Sequence, residues 1–490
     1  MLRRTVSALL LLIATVQGCA TNPVSGEKEV ALMSEEKEIE VGREMDPQVR
    51  KQYGVYDDPE LQAYVQRVGE KLAGLSHRPE LFYRFTVLDS DVVNAFALPG
   101  GYIYVTRGLL AYLNTEAELA AVLGHELGHV TARHAVRQYT TAMAAQIGYT
   151  IGAIFVPEVA SQAGSALYSV LGTALVRGYG RQHELESDRL GAQYLALAGY
   201  DPQAMISVLE VLKNQEQFEI ERAKLEGREA NVYHGLFATH PSNDQRLQEV
   251  VTEAKPMKVR DPSSGRDAYL AHLDGMVFGD SVRQGVRHGH RFYHRSLGFA
   301  LTFPKGWRID NYRDRLAAGS RDRAARMVVK LERLNRRIAP SEFMRERLKL
   351  KDLRQQGELE GMGLPSYTGV TRMPWTFGSA SRDLKTRVSV IFFKDRAYVF
   401  YGTTRQQEQF SQTDRLFLDA ARSFHALTPA ERKLANGLRI EIVEAKAGTT
   451  FEKLANKSPI PNYPERILRL LNDHYPTGEP APASKIKVIR

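Results

Sequence analysis

Apolar and charged positions combine at helical spacing in several stretches of the chain. Residues 34–53, 59–75 and 183–198 each show this pattern, which predicts amphipathic helices. Another helix is expected to begin near Thr115, because Thr115 and Glu118 have the spacing of a capping box just before an apolar-periodic run.

Stretches rich in aromatic and β-branched residues predict strands. Residues 82–88 and 101–105 flank a Pro-Gly-Gly turn, as expected of two strands and their connection. Farther along, residues 292–303, 388–393 and 398–403 are alternating or aromatic-rich, and they enclose an Arg-rich stretch that is predicted to be helical. The mixture of elements predicts an α+β fold.

A third pattern lies at residues 143–175, which are rich in Ala, Gly, Ile and Val. Pro157, Glu158 and Gln162 interrupt this run before it reaches the roughly 18 apolar residues of a membrane span. We expect core helices or a cover over a cleft, with membrane insertion as the alternative.

Composition limits the class of protein. At about 150 residues per domain, a chain of 490 residues predicts about three domains. With 43% apolar and 25% charged residues, neither a largely disordered chain nor a multi-span membrane protein fits. The net charge of +9 favours anionic partners. Nucleic acid is not expected, because no basic run is interleaved with aromatic residues.

The first 19 residues have the features of a secretory signal. Arg3 and Arg4 precede a short apolar stretch, and the single cysteine, Cys19, follows Gly18. This segment resembles a bacterial lipoprotein signal, which implies lipidation of Cys19, and Ala20 after it implies sorting to the outer membrane. The chain would then lie in the periplasm on a lipid tether. An ordinary signal peptide with an incidental cysteine is the alternative.

The candidate chemistry begins with a His-Glu-x-x-His sequence inside the helix predicted after Thr115. Residues four apart share a helix face, so His125 and His129 can present two imidazole nitrogens to one metal ion, with Glu126 on the adjoining edge. The alternative is a surface helix that carries two solvated histidines.

A catalytic zinc ion needs a third protein ligand and an open position for water. Glu184 and Asp188 are four residues apart on one predicted helix face, so Glu184 can bind a metal ion while Asp188 orients a ligand imidazole. Spacing alone does not choose between Glu184 and Glu186.

Four sequence blocks carry a family resemblance. They are Asn-Ala-Phe-Ala-Leu-Pro-Gly-Gly at residues 94–101, the two histidines with a third at residues 125–134, the acidic cluster at 184–188, and Thr-His-Pro followed by Arg at 239–246. In this order they resemble the BepA-like periplasmic zinc endopeptidases, relatives of the CAAX prenyl endopeptidases. The resemblance covers about residues 34–250.

This resemblance implies roles for individual residues. His125, His129 and Glu184 become the ligands of one Zn²⁺ ion per chain. Glu126 becomes the general base that takes a proton from the attacking water, and Asp188 becomes the residue that orients a ligand imidazole. The implied fold is a mainly helical, zincin-type metallopeptidase domain with a small sheet.

The same resemblance extends to the substrate side of the site. His240 would lie at the active site, where it steadies the oxyanion or caps the metal in a resting state, and His134 is assigned a structural role. Asn94, Ala95 and Phe96 would form an edge strand on which an extended substrate pairs, with an ordinary covered strand as the alternative.

Two further modules are expected after the peptidase. Residues 437–490 resemble a LysM module, a β-α-α-β unit, and this resemblance implies peptidoglycan binding; a divergent unit that only packs or docks a partner is the alternative. Residues 291–427 faintly resemble PsbP-type domains, which predicts an α/β sandwich-like domain without indicating a role.

The predicted organisation therefore has five parts. Residues 1–19 are a lipoprotein signal peptide, 20–255 the zinc metallopeptidase domain, 256–290 a linker, 291–427 an α+β domain of unknown role, and 437–490 the LysM-like module.

The leading functional hypothesis is a lipid-tethered periplasmic zinc endopeptidase that hydrolyses unfolded or misassembled envelope proteins. Peptidoglycan and the outer-membrane assembly machinery are further candidate partners. One alternative is a periplasmic chaperone or peptidoglycan-binding scaffold with a latent metal site, and another is a metallohydrolase of cell-wall crosslinks. An intact Glu126 favours an enzyme, because a pure scaffold has no need of it.

Overall fold

The computed structural model describes residues 19–150, 179–230, 259–312, 314–377 and 380–490. The predicted signal up to residue 18, the predicted cover from residue 151 onward and His240 lie outside the described residues. None of the helices within the described ranges is long and apolar enough to cross a membrane.

The chain divides into two compact units, one made of Met1–Phe278 with Arg439–Arg490 and the other of Gly279–Leu438. Both units mix helices and strands, which confirms the predicted α+β class. Up to residue 278 the elements are β1 (Cys19–Thr21), β2 (Lys28–Val30), α1 (Glu35–Tyr53), α2 (Pro59–Ala73), β3 (Arg84–Leu88), β4 (Ala95–Leu98), β5 (Tyr102–Thr106), α3 (Arg107–Leu110), α4 (Glu116–Thr131), α5 (His134–Thr150), α6 (Arg181–Leu197), α7 (Ala204–Leu225), α8 (Arg266–Leu273) and β6 (Val277–Phe278).

Polar side chains cap α4 at its predicted start. Thr115 Oγ1 accepts a hydrogen bond from the Glu118 N–H at 3.1 Å, which is the first half of the predicted capping box. The Glu118 carboxylate accepts from the Asn114 N–H at 2.6 Å, so the reciprocal half of the box lies one residue earlier than predicted. The first turn of α4 is thereby fixed to the segment before it.

The small sheet of the first unit has the strand order β3–β5–β4, with β3 parallel and β4 antiparallel to β5. Two glutamines of α2 cover the outer edge of β3. Gln66 bonds the Phe85 N–H and the Tyr83 carbonyl, and Gln62 bonds the Val87 N–H and carbonyl, all at 2.8 to 3.0 Å. These amides replace a neighbouring strand on that side, and β4 forms the opposite edge of the sheet.

The second unit is built around a seven-stranded sheet. Its elements are β7 (Val286–His288), β8 (Arg291–His294), β9 (Phe299–Thr302), β10 (Arg308–Asn311), β11 (Arg315–Gly319), β12 (Ala325–Arg333), α9 (Pro340–Glu346), β13 (Arg354–Gly357), β14 (Ser366–Phe377), β15 (Ala380–Phe393), β16 (Arg396–Thr404), α10 (Phe410–Arg422), β17 (His425–Ala426) and α11 (Pro429–Leu434). The antiparallel order is β10–β11–β12–β16–β15–β14–β13, and β17–β9–β8–β7 form a separate sheet.

The two faces of the seven-stranded sheet are covered by different helices. Neighbouring residues of β16 point to opposite faces. Phe400 enters a core with Phe417 of α10, whereas Val399 enters a second core with Phe343 of α9. The apolar residues of this sheet are therefore buried on both sides.

Residues 292–303 are extended, as predicted, and they form the hairpin of β8 and β9, because Gly298 adopts a φ of 75° and the chain reverses there. One prediction for this unit is wrong. The Arg-rich middle is mostly strands β10 to β15 rather than helices. Its apolar residues, such as Met327 and Val329, recur at every second position and enter one core.

Residues 438–490 comprise β18 (Leu438–Glu444), α12 (Phe451–Ala455), α13 (Pro464–Leu471) and β19 (Lys485–Ile489). The strand–helix–helix–strand order is as predicted, and β18 pairs antiparallel with β19. The segment packs within the first unit, where Leu470 and Tyr475 share a core with Phe218 of α7. Its relation to LysM modules stays a prediction.

Lys487 of β19 joins this segment to the start of α4. It is fully buried, and its ammonium group donates to the carbonyls of Ala111 and Leu113, each at 2.7 Å. Burial lowers the pKa of Lys487, and the nearby Glu118 carboxylate opposes this shift. The last strand of the chain therefore holds the loop that leads into α4.

Replacing Lys487 by Met keeps most of the side-chain volume but removes both hydrogen bonds and the positive charge near Glu118. We expect the free energy of unfolding to fall by about 2–4 kcal/mol, because two carbonyls and a carboxylate stay buried without this partner. Denaturant unfolding measures the change. Lys485→Met, on the same strand but half exposed, is the matched control and should shift stability by less than about 0.5 kcal/mol. An equal loss of unfolding free energy in the two variants would contradict this stabilising role of Lys487.

Candidate metal centre

Helices α4 and α6 approach closely because small residues face each other. A Cβ atom on Gly128 would lie 3.0 Å from the Cα and carbonyl oxygen of Ser187, and one on Gly191 would lie 3.1 Å from the amide nitrogen of His125. Any larger side chain at these positions would push the two backbones apart. The close contact lets side chains from both helices meet between them.

Two histidines of α4 and one glutamate of α6 form a buried group. The Nε2 atoms of His125 and His129 lie 3.0 Å apart. The Glu184 carboxylate spans them, with Oε2 at 3.6 Å from His125 Nε2 and Oε1 at 3.6 Å from His129 Nε2. The structure thus brings together the three residues that the family resemblance implied as ligands.

Asp188, one helical turn after Glu184, lies behind His125. Its Oδ1 is 2.8 Å from His125 Nδ1, and both side chains are buried. Because an ionised carboxylate only accepts hydrogen bonds, the proton of the neutral imidazole is on Nδ1. The Nε2 lone pair of His125 is then directed at the group.

His129 is oriented by a longer chain of side chains. Its Nδ1 lies 2.8 Å from Nδ1 of His134, whose Nε2 lies 3.1 Å from Glu186 Oε2. Arg137 Nη1 donates to the same Glu186 oxygen at 2.7 Å. Residue spacing alone did not distinguish Glu184 from Glu186. In the structure, Glu184 faces both His125 and His129, whereas Glu186 faces His134.

The charges of Glu186 and Arg137 determine which nitrogen carries the proton in His134 and in His129. The hydrogen bond from His134, followed by that from Arg137, lowers the pKa of Glu186 to about 2 despite its partial burial. Burial lowers the pKa of His134, so its ring is neutral. It donates from Nε2 to the carboxylate and accepts at Nδ1 from His129. The Nε2 of His129 is left with its lone pair.

The donor set suits a metal ion. Two imidazole lone pairs and one carboxylate converge on one buried point, and such a set of acceptors requires a cation between its members. Two histidines and one carboxylate are a ligand set of catalytic zinc sites, in which a further position stays open. The group in this chain can thus bind a metal ion, as predicted.

Two further rings pack against His129 and His134. The ring of Tyr179 stacks on His129 with a centroid separation of 4.2 Å, and His183 stacks on His134 at 4.3 Å. Burial raises the pKa of Tyr179 and lowers that of His183 to about 4. Both rings are therefore neutral at pH 7 and shield the hydrogen-bonded histidines.

The remaining predicted residues fall on two elements. Glu126 is buried in α4 beside His125. Ala95 and Phe96 lie in β4, which packs against α4, and Asn94 directly precedes it. The assignment of these residues to substrate binding remains a prediction, as does the role of His240 outside the described residues.

The link from His129 to His134 is the feature that sequence reasoning missed. The two histidines are five positions apart, which is not a repeat that places side chains on one helix face. Helix α4 ends at Thr131, Arg133 adopts a left-handed φ of 54°, and α5 begins at His134. A turn in the backbone, rather than periodicity, brings the two rings together.

Residues 59–254 match Peptidase family M48. The chain is 30% identical over 258 residues to the Beta-barrel assembly-enhancing protease of Escherichia coli (strain K12), which covers 51% of this chain and 50% of that protein. It is 33% identical over 216 residues to the Mitochondrial metalloendopeptidase OMA1 of Arabidopsis thaliana, covering 43% and 41%. These matches confirm the predicted resemblance to BepA-like metallopeptidases, and the chain spans about half the length of these curated relatives.

A solved structure also aligns with part of this chain. The solution structure of cyanobacterial PsbP (CyanoP) from Synechocystis sp. PCC 6803 is 14% identical, with a TM-score of 0.23, and the alignment covers 29% of this chain and 95% of that chain. A TM-score of this size does not establish a common fold. The PsbP-type resemblance of residues 291–427 therefore stays a prediction.

Replacing His134 by Ala should weaken metal binding by about 10- to 100-fold, because His129 loses the acceptor that fixes its orientation. His134→Asn should retain more affinity, since its amide oxygen can stand near the position of the lost Nδ1. Competition with a chromophoric zinc chelator measures both dissociation constants.

His183→Ala provides the control, because that ring stacks on His134 and its loss removes packing without removing the acceptor for His129. Its metal affinity should stay within about threefold of wild type, well inside the range expected for a lost outer hydrogen bond. Equal weakening by His183→Ala and His134→Ala would assign the effect to packing instead.

Proposed function

We propose that this chain is a zinc-dependent endopeptidase. The observation that carries the proposal is the buried convergence of His125, His129 and Glu184 inside a segment that matches Peptidase family M48. Two imidazoles and a carboxylate suit zinc better than they suit calcium or magnesium, which prefer oxygen ligands. The match to named metallopeptidases supports the same conclusion.

The proposed chemistry is hydrolysis of a peptide bond. Zinc held by the three ligands supplies Lewis acidity toward water and the scissile carbonyl. Glu126 takes a proton from the attacking water and delivers it to the leaving amine. Asp188 holds His125, and His134 holds His129, so that both imidazoles keep their lone pairs directed at the site.

Strand β4 is proposed as the substrate edge. An extended segment that pairs beside Ala95 and Phe96 would be recognised through its main chain more than its sequence. Gln62 and Gln66 already satisfy the opposite edge of the sheet, which supports β4 as the edge for an incoming strand. Unfolded or misassembled proteins offer such segments, and His240 is proposed to steady the oxyanion or cap the metal at rest.

The proposed location is the periplasm, with a lipid on Cys19 as the outer-membrane anchor. The sequence at residues 1–19 supports this, and the E. coli relative is named for enhancing β-barrel assembly. Envelope proteins and their assembly machinery are accordingly the proposed substrates and partners. Peptidoglycan binding by residues 437–490 is proposed on sequence resemblance alone.

Glu126→Gln should abolish most hydrolysis while it preserves the metal site, because Gln cannot accept the proton. We expect casein cleavage by the zinc-loaded mature chain to fall by about 100- to 10,000-fold, with metal content unchanged. Glu80→Gln, an exposed residue of the same unit, removes one charge in the same way and should cleave like wild type. Equal cleavage by the Glu126→Gln and wild-type proteins at matched metal content would refute the assignment.

A further inference from the structure

The overall net charge of +9 conceals a strong segregation between the two units. Residues 279–438 contain 31 Lys and Arg against 16 Asp and Glu, a net charge of +15. The rest of the chain contains 35 Lys and Arg against 41 Asp and Glu, a net charge of −6. The basic character therefore belongs to the second unit.

Within that unit, the basic residues concentrate on the segment that covers one face of the seven-stranded sheet. Residues 333–354 contain eight Lys or Arg and three Asp or Glu. The apolar residues of this segment, among them Ile338, Phe343 and Leu350, pack with Val388 and Val399 of the sheet. The intervening basic residues are directed away from the sheet as a consequence.

Six of these basic residues define what we call the basic surface. They are all exposed and comprise Arg337, Arg345, Arg347, Lys349, Lys351 and Arg354. Arg336 beside them pairs with Glu346. Among the residues that the structure describes, no ion pair neutralises any of the six. Their charges remain available to a partner.

We propose that the basic surface docks the second unit on an anionic phospholipid surface. Several separate charges spread over one continuous segment suit a layer of phosphate headgroups, and each basic side chain near such a layer multiplies binding by about fivefold. Stacking of nucleic-acid bases requires exposed aromatic rings, whereas Phe343, the aromatic residue of this segment, is buried. The proposal depends on the proposed envelope location but not on hydrolysis.

The test compares two variants of equal net charge. Arg345, Arg347, Lys349 and Lys351 are changed to Gln in one variant. In the other, Arg405, Arg415, Arg422 and Lys433, which are exposed elsewhere on the same unit, are changed to Gln. Both are made in the mature chain with Cys19→Ser, so that no lipid anchor contributes. Co-sedimentation is measured with phosphatidylcholine vesicles with and without about 30% phosphatidylglycerol.

Wild type and the second variant should bind the anionic vesicles, and the first variant should bind at least about 10-fold more weakly. Raising NaCl from about 0.05 to 0.5 M should release the wild type, whereas inorganic phosphate at equal ionic strength should do no more than NaCl. Equal binding by both variants, or equal binding to neutral vesicles, would overturn the proposal. Tighter binding to a duplex or single-stranded oligonucleotide than to anionic vesicles would do so as well.

Casein hydrolysis by the same preparations separates this proposal from the proposed function. The first variant should cleave casein in solution like wild type, because its substitutions lie outside the metallopeptidase segment. Lost vesicle binding with intact hydrolysis supports the basic surface. Intact vesicle binding by a chain that does not cleave casein would refute the peptidase and leave the surface standing.

Discussion

Small residues set how closely α4 and α6 approach, and the metal group depends on that distance. Gly128 faces Ser187, and Gly191 faces the backbone at His125, so near that a single Cβ would crowd the opposite chain. The Glu184 carboxylate lies on α6 and must reach the imidazoles of two residues on α4. Larger side chains at these two positions would separate the helices and move Glu184 away from both imidazoles.

Hydrogen bonds behind the histidines complete what the helix contact begins. Asp188 accepts directly from His125 Nδ1, whereas His129 Nδ1 is linked to the Glu186 carboxylate through the neutral ring of His134. The two ligands thus have different outer partners although they lie one helical turn apart. A carboxylate that accepts directly raises the basicity of an imidazole more than a neutral ring does, so His125 would be the more basic of the two ligands toward a bound metal ion.

The position of α4 itself is fixed from a distant part of the sequence. Thr115 and Glu118 hold its first turn locally, and Lys487 of β19 bonds the carbonyls just before it. The last strand of the chain is therefore part of the support of the helix that carries both histidines. A buried ammonium group is costly to desolvate, and here its cost is offset by two carbonyls and the Glu118 carboxylate.

Features that depend on neighbours within one element could be predicted from the amino-acid sequence alone. Four-residue spacing on a helix places His125 with His129, and Glu184 with Asp188; capping residues mark where α4 begins; and the helices at residues 34–53 and 59–75 follow from periodicity. It also indicated the strand–helix–helix–strand order of residues 438–490. Identification of Glu184 over Glu186 required the family resemblance, because both lie on the same charged helix.

Contacts between separate elements are visible only in the folded protein. The hairpin of β8 and β9 depends on one positive φ at Gly298, and the Arg-rich strands are held by a core whose partners lie far along the chain. His134 reaches His129 through a left-handed turn at Arg133, and Lys487 bonds the segment that precedes α4, more than 370 residues away in the sequence. Periodicity records contacts along one helix or strand, whereas contacts between elements depend on how backbones turn and pack, and no local spacing specifies them.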